Sequence, residues 1–475
     1  MTRSAVTALL PLIILALTSI AVMLAIAVRR SHRAAVIISL AGLVAAFVSL
    51  WPASSVAPVP IMSLLIIDRY ALVYMGVVLA ASTALILLSH TYLAARSEHK
   101  EEFYLLLLLA TTGSMALAAS SHMVSVFLSL ELLSISLYAL IAYPRSEPLA
   151  LEAGIKYLVL AASSSAFLLF GFAVMFVAEG NMDFRPVSAT VTAGTTPLAY
   201  LAGVVLVITG IGFKLAVVPF HLWTPDVYQG APLPVTAFVA TVSKGGVFAF
   251  LLRWLQWRSA DDKALVIILT ILAIASMLAG NLLALRQTNI KRLLAYSSIA
   301  HMGYFLVAVI AGGSLGRAAA TYYFAAYVVT ILGAFGCLLA LSDSNREAES
   351  FDDIRGLFWR SPVLASVFTA MLLSLAGIPL TAGFLGKFYV FTAGTSAATW
   401  ALITILIVSS TIGLVYYLRI IVAMFSELER GESTSSRTTP GVLAELSLAV
   451  LTLALFVLGV YPGPLWHAIR TAAAF

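Results

Sequence analysis

Fourteen apolar runs follow one another along this 475-residue chain, at about 5–28, 34–52, 71–94, 102–119, 122–142, 150–178, 198–220, 233–256, 264–285, 290–313, 317–342, 360–395, 398–425 and 441–461. A helix needs about 20 apolar residues to cross a hydrocarbon core of about 30 Å. Lipid offers no partners for backbone groups, so such runs must become helices. The expected fold is an all-α polytopic membrane protein of about 14 transmembrane helices. The whole chain, 1–475, reads as one transmembrane domain: helices one to three within 1–94, helices four to eight within 102–256, helices nine to thirteen within 264–425, and a last helix at 441–461. Charged residues make up 10% of the chain, against about 25% in an ordinary soluble domain. The first run, about 24 residues long, exceeds the apolar core of a cleavable signal and is expected to be retained.

The formal charge of +6 raises the question of nucleic acid, but the distribution of that charge points to a bilayer instead. With the amino terminus outside, 14 Lys/Arg fall in cytoplasmic loops, 8 on the opposite side and five within helices, as the positive-inside rule requires. The loop after helix eight runs against the trend. The polar stretch 426–441 reads as a flexible loop. Cys337, the single cysteine, excludes an internal disulfide and a Cys-ligated cluster within the chain. Neither phosphate-binding loops nor metal-ligand spacings occur, so no cofactor is expected in this chain.

Five charged residues interrupt the apolar runs: Glu131, Lys156, Lys214, Lys244 and Lys387. A charge at the centre of a spanning helix costs roughly 2.5–3.5 kcal/mol on insertion scales, so each needs a partner or a task. Ionisable groups in series across apolar helices suggest a route for protons or ions. Glu131 and Lys214 could act as a unit whose proton affinity changes with their separation; a static buried ion pair is the plainer alternative. Lys244 has no carboxylate nearby in sequence, and burial favours its neutral form. Lys387 could reach an interface instead, and Lys156 could pair with Glu152 four residues earlier. His301 shares a helix face with Ser297 and Tyr304 and is suited to relay protons; a satisfied core histidine is nearly as good a reading.

Two helices read as broken. Pro219 removes a backbone donor beside Lys214, and Gly377, Pro379 and Gly383 precede Lys387. Gly245 and Gly246 mark a third weak point after Lys244. Matched interruptions in two halves of a membrane chain point to inverted repeats with a site between them. Pairing helices 4–8 with 9–13 superposes broken helices seven and twelve.

The run GIGFKLAVVPFHLWTPDVYQGAPLPVTAFVATVSKGGVFAFLLR (210–253), followed by NLLALRQTNIKRLLAYSSIAHMGY (281–304), closely resembles the antiporter-like proton-channel subunits of respiratory complex I. The resemblance covers essentially the whole chain. It matches Glu131 to the family's buried glutamate on helix five, Lys214 to the lysine of broken helix seven, Lys244 to the helix-eight lysine and Lys387 to the helix-twelve ionisable group. Some members carry glutamate at that last position. Lys156 and the segment SLAGIPLTAGFLGKFYVF also resemble one branch of the family. The implied function is proton translocation through these residues in a bacterial inner membrane, driven by redox chemistry elsewhere. NADH, FMN, iron–sulfur clusters and quinone would belong to other subunits, with other membrane-arm subunits and lipid as partners. Mrp-type cation/proton antiporters and the membrane arms of energy-converting hydrogenases share the same charge ladder and are the competing classes.

Overall fold

The computed structural model describes residues 2–96, 100–184, 198–257, 263–343, 346–397, 399–427 and 441–473. Fourteen spans are present among them. In chain order they are α1 (Arg3–Val28), α2 (His32–Val56), α3 (Arg69–Arg96), α4 (Glu101–Ala119), α5 (Met123–Ile141), α6 (Pro148–Glu179), α7a (Leu198–Leu215) with α7b (Trp223–Gly230), α8 (Leu233–Gln256), α9 (Lys263–Ala284), α10 (Ile290–Ala311), α11 (Gly313–Leu341), α12a (Pro362–Ala376) with α12b (Ala382–Ser396), α13 (Trp400–Phe425) and α14 (Val442–Val460). A short amphipathic helix, α15 (Gly463–Ala473), follows and stacks Trp466 on Tyr389 with ring centroids 4.0 Å apart.

The spans form an inner and an outer set. The whole apolar window of α8 is buried, with α10 and α11 close behind, whereas α1, α2 and α14 turn most of theirs outward. Helices buried all round in this way are the core of a bundle, and the half-exposed ones meet lipid. The short interruption at Ser120–His122 does separate two helices: His122 caps α5, its Nδ1 accepting from the Val124 amide at 3.2 Å. A feature outside the all-α expectation is a small antiparallel hairpin, β1 (Val59–Ile61) and β2 (Leu65–Ile67), between α2 and α3.

Both expected breaks are present, with adjusted positions. The seventh span leaves the helix at Ala216 (φ +62°), three residues before Pro219. The twelfth divides at Gly377 (φ +89°) and resumes at Ala382 under a Thr381 cap. The two breaks lie five spans apart. Five is an odd number, so a second five-helix unit in the same order enters from the opposite side.

The charge pattern also needs correction. Arg253, one of the eight Lys/Arg counted on the side opposite the cytoplasm, lies inside α8, buried against Asp68 in a two-pronged pair at 2.8 Å. It is neutralised in the interior and carries no topological information. Arg185, Arg258, Arg430, Arg437 and most of the 426–441 loop lie outside the described residues.

Candidate proton path

Glu131 is the ninth of nineteen residues of α5. The Ser165 hydroxyl of α6 donates to its Oε1 at 2.5 Å. One turn further along α5, Ser134 Oγ receives the Lys214 ammonium at 2.6 Å. Lys214 is buried in the last turn of α7a. Its Nζ stands 5.3 Å from the Tyr157 ring centroid, a cation–π separation. Among the described residues, no carboxylate lies within 4.0 Å of Lys214. The expected Glu131–Lys214 unit is therefore not a direct ion pair: Glu131 takes Ser165, and Lys214 takes Ser134, one turn along the same helix as Glu131.

The break beyond Lys214 is held by side chains. Trp223 Nε1 donates to the Phe213 carbonyl at 2.9 Å, and the Val218 amide donates to Ser276 Oγ at 2.9 Å. Backbone groups freed at membrane depth need such partners.

Lys244 sits halfway along α8, immediately after a π-helical turn at Val239–Ser243. Such turns concentrate at functional positions. The Val242 carbonyl within it accepts from Ser114 Oγ at 2.7 Å. The glycines after Lys244 are not the irregular point: a Cβ at Gly246 would come within 2.6 Å of the Ser114 carbonyl oxygen. They serve close helix packing. Lys244 is buried and donates to Ser298 Oγ of α10 at 2.7 Å.

Beyond Lys244 two hydrogen-bonded groups lie along α10, one around Ser298 and one around His301. Ser298 Oγ is 2.6 Å from Tyr327 OH, and Tyr228 OH donates to it at 3.4 Å. One turn along α10, His301 is held between Tyr323 OH at 2.7 Å on Nδ1 and Tyr417 OH at 3.2 Å on Nε2. Ser297 hydrogen-bonds the same Tyr417. The adjacent Tyr416 donates to Asn281 Oδ1 at 2.8 Å, while Asn281 Nδ2 reaches Tyr304 OH at 2.9 Å and Ser409 Oγ at 2.6 Å.

Lys387 lies at the far end, on α12b. Its Nζ donates to the Leu375 and Ala376 carbonyls (2.9 and 2.8 Å) and to Ser410 Oγ (2.8 Å), and stands 5.3 Å from the Tyr304 ring centroid. Those carbonyls end α12a, the negative pole of that half-helix. Lys214 belongs to the segment before its break, whereas Lys387 reaches back from the segment after its own.

Glu131, Lys214, Lys244, His301 and Lys387 thus all take partners within the bundle, with the ammonium groups turned inward. Lys156 is the exception. Its side chain is 43% exposed and pairs with Glu152 and Asp226, each at 2.8 Å. Of the two readings of Lys156, the pair with Glu152 is the one present, with Asp226 as a second partner, at the surface rather than in the interior. Sequence reasoning missed Ser134, Ser298, Asn281, Tyr327, Tyr416 and Tyr417. Asn281 alone carried a usable signal, a carboxamide inside an apolar run. No group of three His, Cys, Asp or Glu able to hold a metal occurs among the described residues.

Discontinuous helices with cations at their broken ends define the architecture of ion-translocating membrane proteins. Residues 120–413 match the family described as NADH:quinone oxidoreductase/Mrp antiporter, transmembrane, and the chain belongs to that family. It is 48% identical to the NADH-quinone oxidoreductase subunit N of Ectopseudomonas mendocina, over 98% of this chain and 96% of that protein. It is also 48% identical to the subunit of the same name from Methylococcus capsulatus, over 98% and 95%. Among solved structures, a chain of respiratory complex I from Thermus thermophilus superposes with a TM-score of 0.83 at 34% identity, covering 98% of this chain and 99% of that one.

Proposed function

We propose that this chain is a proton-translocating membrane-arm subunit of a bacterial NADH:quinone oxidoreductase. It works beside other membrane-arm subunits, and redox chemistry in the rest of the complex drives it. The observation that supports this best is an interior row of lysines in a chain 48% identical, end to end, to two subunit N proteins. The same likeness favours this reading over an Mrp-type antiporter or a hydrogenase membrane subunit.

Each station has a role set by its surroundings. Glu131 receives the electrostatic or conformational input. Lys214 and Lys244 load a proton from the cytoplasmic side, and Lys387 passes it toward release. Between Lys244 and Lys387, His301 and the hydroxyls around it bridge the centre. Hydroxyls both donate and accept, so they can hand a proton on without holding a charge. NADH, FMN, iron–sulfur clusters and quinone belong to other subunits. The domain divides into helices 1–3 (1–94), two five-helix repeats of opposite orientation (102–256 and 264–425) and a last helix (441–461). The amino terminus faces the periplasm.

The test is Lys214→Ala and Glu131→Ala in the assembled complex, in inside-out membrane vesicles. NADH-driven proton uptake should fall in both, while reduction of an artificial acceptor at the redox arm stays intact. Wild-type uptake in both variants removes the assigned roles.

A further inference from the structure

Two consecutive cations at the start of α10 grip the middle and the carboxyl end of α7b. Arg292 donates to Asp226 Oδ1 at 2.8 Å and to Gln229 Oε1 at 3.1 Å. Lys291, buried, donates to the Ala231 carbonyl at 2.8 Å, where α7b ends, and to Glu347 at 2.7 Å. Glu347 also accepts from the Leu233 amide at 2.9 Å, the first residue of α8. On the other flank, Lys156 of α6 holds the second oxygen of Asp226. The half-helix between the Lys214 break and the Lys244 helix is therefore tied to α10 from its middle to its carboxyl end.

Between those anchors, in the last turn of the half-helix, sits Tyr228. Its hydroxyl faces Ser298, and the Lys244 ammonium stands 6.0 Å from its ring centroid. Ser298 lies seven residues beyond Lys291, on the same side of α10 about 10 Å along its axis. One helix thus carries both the grip on α7b and the acceptor for Lys244.

We infer that Arg292, with Asp226 as its partner, is a positioning residue for proton transfer: it fixes α7b so that Tyr228, Ser298 and Lys244 meet, coupling the Lys214 half of the path to the His301 half. This inference rests on the function proposed above. It also gives Lys156 a task, steadying Asp226, that its exposed position fits. The Arg292–Asp226 pair is partly solvated, and pairs of that kind contribute little to stability. Neutralising it should loosen α7b without unfolding the bundle. The buried Lys291–Glu347 pair is unsuitable for the test, because breaking it threatens the fold.

The experiment compares Arg292→Gln, Asp226→Asn and the conservative Arg292→Lys in the purified, reconstituted complex. Hydrogen–deuterium exchange of the 224–231 amides and protons moved per NADH are measured on the same preparations. The expected result is about two- to fivefold faster exchange in this segment and a fall in protons per NADH for both neutral variants. Arg292→Lys should recover most of both, and artificial-acceptor reduction should be unchanged throughout. Unchanged exchange in Arg292→Gln overturns the inference, and so does fast exchange with full proton transfer. A loss that Arg292→Lys does not reverse also overturns it, since charge would then not be the cause. Lys214→Ala serves as the control. If it lowers proton transfer while Arg292→Gln does not, only the grip fails; if neither does, the proposed function fails as well.

Discussion

Lys387 lies directly across Gly377. A Cβ on Gly377 would stand 2.9 Å from Lys387 Cδ and 3.2 Å from its Nζ. The glycine is needed twice, for its backbone at φ +89° and for the space its missing side chain leaves to the ammonium. Its neighbour in the break, Gly383, leaves no room either: a Cβ there would fall 1.9 Å from the Ser374 carbonyl oxygen.

Gly377→Ala should therefore destabilise the break by about 1–3 kcal/mol through backbone strain alone and displace the amine from its carbonyls. The expected outcome is reduced proton transfer with the subunit still present in the membrane. Normal vesicle acidification in this variant would show that Lys387 does not need its seat.

Lys387→Glu tests the sign of the charge. The ammonium donates to two carbonyl oxygens. A carboxylate there would face the same oxygens with nothing to donate, at the pole of a half-helix that disfavours anions. This variant should be inactive in proton transfer, although some relatives of this family are expected to carry an acid at the position. Substantial activity would mean that the break rearranges around the acid.

Ser298→Ala removes the hydroxyl shared by Lys244, Tyr327 and Tyr228. A buried donor stripped of its partner costs about 1–3 kcal/mol, so proton transfer should slow by roughly tenfold or more at that rate. Ser298→Thr keeps the hydroxyl and should retain most of the rate. Proton uptake with limiting NADH separates the two.

The Glu347 carboxyl has a definite pH signature. Burial would raise its pKa, but the Lys291 ammonium, with Tyr92 and the Leu233 amide, outweighs burial and holds it below the usual carboxylate range. A depressed native value adds stability that is present above the ordinary carboxylate pKa and lost as pH falls through the native one. Glu347→Gln should lower the thermal stability of the complex near pH 7 by about 3 kcal/mol, the scale for breaking a buried pair. The gap between wild type and variant should close as the medium is acidified below the carboxylate range. A gap independent of pH would contradict the ion pair.

Much of the site was legible because charge in a membrane is costly. Glu131, Lys214, Lys244 and Lys387 stand out in any apolar run, and glycine and proline mark the breaks beside Lys214 and Lys387. Lys156 was legible in part: its pair with Glu152 lies within four residues, whereas its second partner Asp226 lies 70 residues away, out of reach of a local reading. The hydroxyl network was not legible. Serine and tyrosine are ordinary in spanning helices, and pairs such as Ser297 with Tyr417, 120 residues apart, form only when α10 meets α13. The π-turn at 239–243 leaves no compositional mark. Gly245 and Gly246 pointed to the correct neighbourhood for a different reason, the close approach of Phe324 of α11 to the first and of Ser114 of α4 to the second.

That turn holds one residue more than an α-helix would use for the same advance. Were it to relax to ordinary winding, everything beyond it would rotate by about 100°, and Lys244 would swing from Ser298 toward another wall of the bundle. The extra residue therefore sets the one register in which Lys244 meets Ser298 while Gly246 clears Ser114.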